Sequence, residues 1–598
     1  MNNFYSRFSG LIILTLSLLI NVNVYGDGSK DLYPSGVNGY RAYLLSNDRQ
    51  VSGAIPFASR GTHYVYAKAG ETIALASSEW SGSAAIKLFD PENNDVTPTR
   101  GSNGRIENRN QELAGPKLTT ADATSNRYTP IYYSVQKEGI FRVEFWPRTN
   151  VTSNYSNATR AGVANGEWTN WNTGSQSSSY IAAWDISVIN NAKTGFIAGR
   201  VYANILNMGI LASSNVNEGW YGKMYVLTKD GYTYLVDNNG NNGIVFSFFV
   251  NNNGFVKGNN GVTNGTVDYT PLYKSLNAID NAVTNKQIWN PTALDNEQNI
   301  THKIFYRLPS EDLPKVITKG AVPGGETWLK NNVIVPNVES LEIIGADGSI
   351  GQVSRKGGYI QFNTGSQGSY IVEILSAETP AAFPARYLRG TAIAGLNKVF
   401  WDGKDGDGNL LPVGLAPAKI TVELQGAEVH FPYFDMENNI NGIKLKLLDH
   451  EKLPGQEVVQ SDIVYWNDKD LDDAKYGVSS SPKNNSHLPL SLGGANSIGI
   501  RSDGPNANGH KWGGSGTTET FGDVRSMDTW TFIKGEKKTV DGIVTVKIAD
   551  LKISDIKVNN ANNATVDLGE KLTYTIKVKN DGHSDVLKAP FAFTLPEG

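Results

Sequence analysis

Apolar and polar residues alternate in short runs along most of this chain, and glycine-rich turns separate the runs. The clearest case is Lys223–Thr228 and Tyr232–Val236, which flank the turn Lys229-Asp230-Gly231. A period of two places one face of a strand against a core. Two such runs joined by a tight Asp-Gly turn predict a β-hairpin.

A second hairpin is predicted nearer the N-terminus. Ile131–Val135 and Phe141–Trp146 are both strand-like, and Glu138-Gly139 lies between them as a turn. In Phe141–Trp146 the apolar residues alternate with Arg142 and Glu144, which is typical of a strand with one buried face. These patterns predict an all-β fold.

At 598 residues the chain is too long for one hydrophobic core, so several β-sandwich or immunoglobulin-like domains in series are expected, the last one incomplete. Shifts in composition and turn-rich stretches set the predicted boundaries. The segments are a signal peptide (1–26), a β-sandwich domain (27–148), a polar linker or loop (149–179), a β-rich domain (180–335), an immunoglobulin-like domain (336–426), a loop-rich β-domain (427–540) and the start of a further β-sandwich module (549–598).

The N-terminus predicts export. Met1–Gly10 is polar with one positive charge, and Leu11–Ile20 is apolar but well short of the roughly 20 residues that span a bilayer. Val24-Tyr25-Gly26 then places small residues before a cut at Asp27. A buried N-terminal helix is the alternative, but no amphipathic or capping pattern follows it. No second run of this kind occurs, so no transmembrane segment is expected in the mature chain.

Composition narrows the function classes. The 62 Gly, 27 Tyr and 12 Trp, with only 19% charged residues, favour short strands and tight turns. A net charge of −4 with scattered Lys and Arg gives no basic patch for nucleic acid. The absence of cysteine excludes thiol catalysis, zinc-thiolate sites and iron–sulfur clusters. It also suits a bacterial surface β-protein better than a disulfide-bonded secreted one.

Residues 397–414 carry the most distinctive motif, in which Trp401-Asp402-Gly403 leads through an Asp/Gly turn to Leu411-Pro412-Val413-Gly414. The segment resembles the immunoglobulin-like domain of flagellar hook-capping proteins and of many bacterial surface proteins. That resemblance covers about 90 residues. It implies a fold and no particular chemistry.

The C-terminal residues contain the predicted strand Leu572–Asn580 and the closing motif Leu595-Pro596-Glu597-Gly598. In these features they resemble the conserved-repeat module known as domain of unknown function 11, which occurs in tandem in large bacterial surface proteins. This sequence stops about halfway through such a module, which would leave an open sheet edge. The resemblance therefore implies that the protein continues into further repeat domains.

Two stretches, Gly28–Gly36 and Gln425–Pro432, carry a resemblance that extends over residues 27–540 as a whole. Through them the chain resembles the N-terminal region of very large exported proteins of gliding Bacteroidetes. It implies a cell-surface or extracellular location associated with the outer membrane. Such proteins commonly end in a type IX secretion sorting domain or a gliding-motility domain, neither of which is visible here.

Calcium is the one candidate cofactor. The predicted ligands are the hard oxygen donors of a single turn, Asp402, Asp405, Asp407 and Asn409, a donor type that Ca²⁺ prefers. The turn is not an EF-hand, because Leu410 stands where that loop needs glycine and Ala416 where it needs a bidentate Glu. A plain hairpin turn is the alternative. The acidic run Asp468–Asp473 offers a second, similar choice between Ca²⁺ and a solvated loop.

Hydrolase motifs are poorly matched, so no catalytic residue is predicted and the protein is interpreted as a non-enzyme. His450-Glu451 would suit a zinc protease, but Pro454 occupies the place of its second His. His510 beside Trp512 is the one histidine in a suggestive setting, and a structural hydrogen-bonded role is favoured for it. A carboxylate pair for glycoside hydrolysis, far apart in sequence, stays open.

Two functions remain from the sequence. The first is a cell-surface structural or adhesion protein that displays its N-terminal β-domains ahead of repeat modules, with a surface polysaccharide or another surface protein as partner. The second is a secreted carbohydrate-binding protein, with a hydrolytic domain downstream. For the second, Trp168 and Trp171 are the predicted glycan platform, since exposed aromatic rings stack on sugars.

Overall fold

The protein is described here from a computed structural model. The structure describes residues 26–48, 55–79, 85–99, 101–146, 162–168, 171–172, 178–210, 219–259, 262, 265–315, 318–320, 326–353, 356–411, 414–449, 462–472, 484–485, 490–492, 500–505, 507–513, 521–546, 551–559, 569–581, 586 and 588–594.

The elements of the N-terminal half are nineteen strands and three short helices. In chain order they are β1 (Asp27–Gly28), α1 (Ser29–Leu32), β2 (Tyr43–Asn47), β3 (His63–Ala67), β4 (Thr72–Ser77), β5 (Ala85–Phe89), α2 (Arg109–Ala114), β6 (Ile131–Ser134), β7 (Gly139–Trp146), β8 (Trp171–Asn172), β9 (Ser178–Ile181), β10 (Trp184–Ile189), β11 (Phe196–Ile197), β12 (Val201–Ala203), β13 (Ile205–Gly209), β14 (Lys223–Leu227), β15 (Thr233–Asp237), β16 (Phe246–Phe249), β17 (Val256–Gly258), β18 (Asp268–Pro271), α3 (Ile279–Thr284) and β19 (Lys303–Phe305).

The C-terminal half adds twenty strands and one 3₁₀ turn (Leu490–Leu492) within the described residues. The strands are β20 (Thr318–Lys319), β21 (Glu326–Thr327), β22 (Val338–Gly345), β23 (Gln352–Val353), β24 (Gly358–Thr364), β25 (Gly368–Ser376), β26 (Arg386–Ala392), β27 (Gly395–Trp401), β28 (Gly414–His430), β29 (Tyr433–Phe434), β30 (Lys444–Leu447), β31 (Ile463–Val464), β32 (Trp466–Asn467), β33 (Asn484–Asn485), β34 (Ile500–Arg501), β35 (Ser526–Met527), β36 (Trp530–Lys534), β37 (Lys538–Val546), β38 (Leu551–Asn559) and β39 (Thr573–Asn580).

Three sheets surround one large core. An eight-stranded sheet has the order β30-β15-β14-β19-β12-β3-β7-β5, and a seven-stranded sheet has the order β35-β29-β16-β13-β2-β9-β8. A five-stranded sheet is built on β1-β10-β4-β6, with β11 beside β10. Alternate residues of all three sheets enter one continuous cluster of buried apolar side chains. We call this unit the β-body. The all-β prediction is confirmed.

The predicted hairpin at Lys223–Val236 is confirmed, because β14 and β15 pair along their whole lengths. The predicted hairpin of Ile131–Val135 with Phe141–Trp146 is wrong. β6 pairs with β4 in the five-stranded sheet, whereas β7 pairs with β3 and β5 in the eight-stranded sheet. Both strands send apolar residues into the same core from different walls. The chain therefore turns a corner between sheets at Glu138-Gly139.

The sheets cross the segment boundaries predicted from the sequence. β3, from the first predicted domain, pairs with β12, from the second. β15 pairs with β30, and β16 pairs with β29, which both come from the segment predicted as a loop-rich domain at 427–540. In the described residues these three segments share sheets and a core, and thus form one β-body.

The segment predicted as immunoglobulin-like forms a separate β-sandwich with its own core around Trp401. One sheet is β22-β24-β27, and the other contains β23-β37-β28-β25-β26. β37 comes from beyond residue 426 and pairs with β28 at nine positions. The long strand β28 passes from the sandwich into the β-body, and it pairs with β36 on both sides of a bulge between Gly426 and Val429.

The last described element is an antiparallel hairpin of β38 and β39. Its apolar side chains at Ile553, Ile556, Val558 and Val578 are exposed. Among the helices in the described ranges, none is long and apolar enough to cross a membrane.

Candidate functional sites

The turn predicted to bind calcium is held by its own backbone. The Asp405 carboxylate is buried and its Oδ1 accepts the N–H groups of Asp407 (3.0 Å) and Asn409 (2.8 Å). Asp402 Oδ1 accepts the N–H of Lys404 (3.2 Å), while Asp407 and Asn409 are exposed. The indole N–H of Trp401 donates to the Lys404 carbonyl at 2.8 Å. These bonds are those of a tight hairpin turn.

The oxygen donors of that turn do not converge. Asp402, Asp405 and Asp407 are all described, yet their carboxylates do not form a group within 4.8 Å of one another. Gly403 and Gly408 have φ values of 71° and 82°, which explains why the turn needs glycine there. Calcium at Asp402, Asp405, Asp407 and Asn409 stays a prediction, and the geometry favours the structural turn.

Trp168 is not an exposed platform for sugars, which corrects its predicted role. Its side chain is 8% exposed and lies in the core of the β-body. Its indole N–H donates to Glu112 Oε2 at 3.0 Å. The ring is buried because the carboxylate that it binds is itself buried. The side chain of Trp171, the other half of the predicted platform, lies outside the described residues.

Glu112 is a buried anchor that ties distant parts of the β-body together. Its carboxylate accepts one N–H from each of the Arg41 nitrogens Nη1 and Nη2 at 3.0 Å, and one from Arg109 Nη1 at 2.6 Å. The Ser29 hydroxyl donates to it at 2.6 Å. Burial alone would raise the pKa of Glu112, but the two guanidinium groups hold it below its ordinary value. Glu112 is thus a buried anion with a full set of partners.

Three carboxylates converge where the sequence analysis named no site. Asp435, Glu437 and Asp523 have oxygens within 4.8 Å of one another, the one such group of three in the described part of the chain. Asp435 and Glu437 are buried and Asp523 is half-buried. Asp435 Oδ1 accepts the N–H of Val524 at 2.6 Å, and the Glu437 carboxylate accepts the N–H of Ile244 at 2.9 and 3.1 Å.

The electrostatics of this carboxylate group favour protons or a cation. Burial, with Asp523 close by, raises the pKa of Asp435 to about 7. Burial and the charges of Asp435 and Asp523 raise the pKa of Glu437 well above its ordinary value. Hard carboxylate oxygens are the ligands of Ca²⁺. These three side chains would hold a divalent cation better than the Asp402–Asn409 turn.

Two buried histidines form a connected polar network. His430 Nδ1 lies 2.7 Å from Asp528 Oδ2, and its Nε2 lies 2.8 Å from Glu428 Oε1. His510 Nε2 lies 2.8 Å from Asp468 Oδ2. Ser275 joins the two pairs, because its hydroxyl donates to Asp468 (2.6 Å) and accepts the N–H of Asp528 (3.0 Å).

His510 has the structural role that the sequence favoured. Its imidazole is fully buried, stacks on Trp466 with ring centroids 4.9 Å apart, and contacts the Thr529 hydroxyl at 2.8 Å. Asp468, from the acidic run, is therefore an internal hydrogen-bond acceptor. Asp470 pairs instead with Lys274 at 2.8 Å, while Asp473 lies outside the described residues, as do His450 and Glu451.

Sequence reasoning missed the carboxylate group and the His430 pair. Asp435 lies in the apolar stretch Phe431–Met436 and Glu437 directly follows that stretch, and carboxylates in such a setting are a usable signal. Asp523 is 86 residues beyond Glu437 in the chain, so nothing local connects it to them.

An open cavity of about 340 Å³ lies at the eight-stranded sheet, which contributes Tyr64, Arg142 and Glu144 to its lining, and Asn47 and Ile205 come from the seven-stranded sheet. Its charged lining groups are balanced, with Arg60 and Arg142 against Asp48 and Glu144. Arg142 Nε donates to Glu144 Oε1 at 2.8 Å, and the Arg60 guanidinium lies 4.6 Å from the Trp146 ring centroid. The cavity is open to solvent and presents polar and apolar surface in nearly equal parts.

Comparisons with known proteins give no family. No protein-family model matches the chain, and no curated protein matches its sequence. Among solved structures, dimeric latent PorU from Porphyromonas gingivalis aligns at 11% identity over 64% of this chain and 32% of its own, with a TM-score of 0.12. A DUF4785 family protein from Legionella pneumophila aligns at 8% identity over 64% and 86%, with a TM-score of 0.10. Both scores are too low to indicate a shared fold.

Proposed function

We propose that this chain is a non-catalytic, exported surface protein, in which the β-body is a rigid head displayed for adhesion or for structural contacts. The immunoglobulin-like sandwich, which is inserted in the chain of the β-body, and the exposed hairpin β38–β39 after it are the spacer modules. A surface polysaccharide or another surface protein is the partner.

The observation that carries this proposal is the use made of buried charged groups. Arg41 pairs with Glu112, 71 residues away, and His430 pairs with Asp528, 98 residues away. Arg307 Nε lies 2.6 Å from Asp31, 276 residues away. Each of these pairs joins distant parts of the chain inside the fold. Charged groups that are paired with each other inside the fold stabilise one arrangement of the β-body, so their role is structural.

Surface display is tested on intact cells of the organism that makes the protein. Antibodies raised against residues 27–546 are applied to cells before and after permeabilisation, and a strain lacking the gene is the control. Labelling of intact cells supports the proposal, and loss of attachment by the deletion strain supports the adhesion role. Labelling only after permeabilisation contradicts display.

A second candidate function, binding of a neutral saccharide, is favoured by the cavity on the eight-stranded sheet. Two cations against two anions select neither sign of ligand, and planar amide, carboxylate and guanidinium groups can hydrogen-bond adjacent hydroxyls. Asn47 and Tyr64 add further polar groups to the lining. This cavity replaces the Trp168 platform as the place where a sugar would bind.

Calorimetric titration of residues 27–598 with neutral oligosaccharides tests this candidate. Arg60→Ala should weaken binding at least tenfold, because Arg60 lines the cavity. Arg105→Ala is the matched control, since Arg105 is exposed and does not line the cavity. Equal binding by both variants, or no binding by the unmodified protein, counts against the saccharide site.

A further inference from the structure

The residues that follow the predicted cut lie in the interior of the β-body. Asp27 is 1% exposed, and β1 pairs with β10 in the register Asp27 to Ile186 and Gly28 to Asp185. The Asp27 carboxylate accepts three backbone N–H groups from a loop more than 170 residues away, those of Gly199 (3.0 Å), Arg200 (3.0 Å) and Val201 (3.3 Å).

The next residues continue this anchoring. The Ser29 hydroxyl donates to Glu112 and accepts the N–H of Trp184 at 3.1 Å. Asp31 pairs with Arg307. The first six residues after the cut thus connect the five-stranded sheet with α2 and with the strand-flanking residues at 199–201 and 307. They are a structural part of the β-body and not a loose end.

The backbone before Asp27 is tightly confined. Gly26 is buried, and a Cβ added to it would overlap the backbone and side chain of Ser187. Only glycine fits there, and cleavage after Gly26 removes that residue from the contact. Because Gly26 and Asp27 are both buried in the folded protein, an endopeptidase can reach the bond between them only before the β-body closes.

The buried charges around Asp27 leave room for one more cation. Asp27, Asp31 and Asp185 are three carboxylates, against the two cations Lys30 and Arg307; a third cation near Lys30, Arg127, is already paired with Asp122 at 3.3 Å. The β1–β10 register places Asp27 opposite Ile186, and Gly26 lies against Ser187, so the α-nitrogen that cleavage would free lies next to these two residues. The Ser187 hydroxyl donates to Asp185 Oδ2 at 2.6 Å. Burial raises the pKa of both Asp27 and Asp185 to about 7, as expected for carboxylates short of positive charge.

We infer that Gly26–Asp27 is a processing site, and that the α-ammonium group released there completes the fold by pairing with the buried Asp185. This inference rests on the proposed export of the protein. A leader-cleaving endopeptidase hydrolyses the Gly26–Asp27 amide with one water, which leaves a carboxylate on Gly26 and an ammonium on Asp27. Cleavage precedes closure of the β-body, so the protein reaches its full stability only after export.

The test compares two forms of the exported protein. One begins at a native Asp27 with a free amine, released from a fusion that leaves no extra residue, and the other keeps Ala-Gly in front of Asp27. Each is made with and without Asp185→Asn, and melting temperatures complete a double-mutant cycle. Asp407→Asn, an exposed carboxylate on the separate sandwich, is the control. Mass spectrometry of the protein from its own cells identifies the natural N-terminus.

We expect the natural protein to begin at Asp27 and the Ala-Gly extension to lower its melting temperature by several degrees. In the Asp185→Asn background the extension should lower the melting temperature by only a small fraction of that amount. In the Asp407→Asn background the lowering should be unchanged. An extension that is tolerated equally in all backgrounds overturns this inference alone. A protein that stays in the cell with residues 1–26 attached overturns both this inference and the proposed function.

Discussion

The imidazole of His430 is hydrogen-bonded to the carboxylate of Asp528 at 2.7 Å, and both side chains are fully buried. Burial alone would lower the pKa of His430, but Asp528 and Glu428 outweigh it and raise the pKa to about 9. His430 is the last residue of β28, the strand that leaves the immunoglobulin-like sandwich and enters the β-body. The ion pair therefore fixes the junction between the two units.

Replacing His430 should destabilise the β-body in a pH-dependent way. His430→Gln removes the charge and leaves Asp528 buried without its partner, which costs about 3–5 kcal/mol. Folding raises the pKa of this imidazole from 6.5 to about 9, so the pair contributes fully below pH 6.5 and its contribution is lost as the pH rises through 9. Urea unfolding of both proteins at pH 6 and pH 10 measures this.

His63→Gln is the control for that experiment. His63 is also buried, but burial lowers its pKa to about 4, so it carries no charge at neutral pH. The loss of unfolding free energy caused by His63→Gln should therefore not become smaller between pH 6 and pH 10. If His430→Gln also lowers the free energy of unfolding by the same amount at pH 6 and pH 10, the charged pair of His430 and Asp528 is contradicted.

The carboxylate group should make the β-body less stable as the pH rises in the absence of divalent cations. Folding raises the pKa of Asp435 to about 7, so the folded state holds a proton that the unfolded state releases near pH 4. Stability is therefore lost between about pH 4 and pH 7. Asp435→Asn should flatten this part of the profile and should stabilise the protein at pH 8, as thermal unfolding in EDTA would reveal.

If Asp435, Glu437 and Asp523 bind calcium, the ion should restore the stability that the β-body loses as the pH rises. Saturation at a hundredfold over the Kd adds about 2.7 kcal/mol to the free energy of unfolding. The gain should vanish in Asp435→Asn and persist in Asp405→Asn. A gain that persists in Asp435→Asn and vanishes in Asp405→Asn would show that calcium binds at the Asp402–Asn409 turn. No gain in stability in any of the proteins would mean that neither group binds calcium.

Trp168 should matter for stability and not for sugar binding. Trp168→Phe keeps most of the buried ring but removes the hydrogen bond to Glu112, which should cost about 1.5–3 kcal/mol because the acceptor is charged. Denaturant unfolding measures the loss. Trp146→Phe, at a position that is 37% exposed, should cost much less. Loss of saccharide binding in Trp168→Phe at full stability would restore its predicted role as a platform.

The immunoglobulin-like sandwich should require a strand from outside its predicted boundaries. A fragment of residues 336–426 lacks β37 and leaves that edge of β28 unpaired at nine positions, although β25 still pairs with its other edge. We expect this fragment to be unfolded, and the same fragment joined through a short glycine-serine linker to residues 536–546 to fold. Circular dichroism and limited proteolysis distinguish the two. A folded 336–426 fragment would show that β37 is dispensable.

Local pattern could predict the strands but not their partners. The β14–β15 hairpin follows from its Asp-Gly turn and its alternation, and Trp401-Asp402-Gly403 marks a turn at the end of a strand, as observed. The pairing of β15 with β30 closes about two hundred residues of chain and has no local signal. For the same reason β6 and β7, close in sequence, could not be assigned to different sheets.

Candidate sites can likewise be predicted from the sequence when their residues are contiguous, and not when the fold brings distant residues together. The Asp402–Asn409 turn is visible in the sequence because its residues are contiguous, whereas Asp435 and Asp523 meet only through the fold. Trp168 lies in a polar stretch that predicts exposure, yet its ring packs in the core of the β-body and binds Glu112, 56 residues earlier in the chain. Burial of a residue in a polar segment is decided by such distant partners.

Surface labelling of living cells tests the central claim most directly. Intact, unpermeabilised cells are treated with a membrane-impermeant amine-reactive biotin, and the protein is recovered and its labelled lysines are mapped by mass spectrometry. Display predicts labelling of the exposed Lys137 and Lys223 of the β-body and of Lys552 in the β38–β39 hairpin. The buried Lys303 should stay unlabelled. Labelling of none of these lysines until the cells are broken would contradict the account.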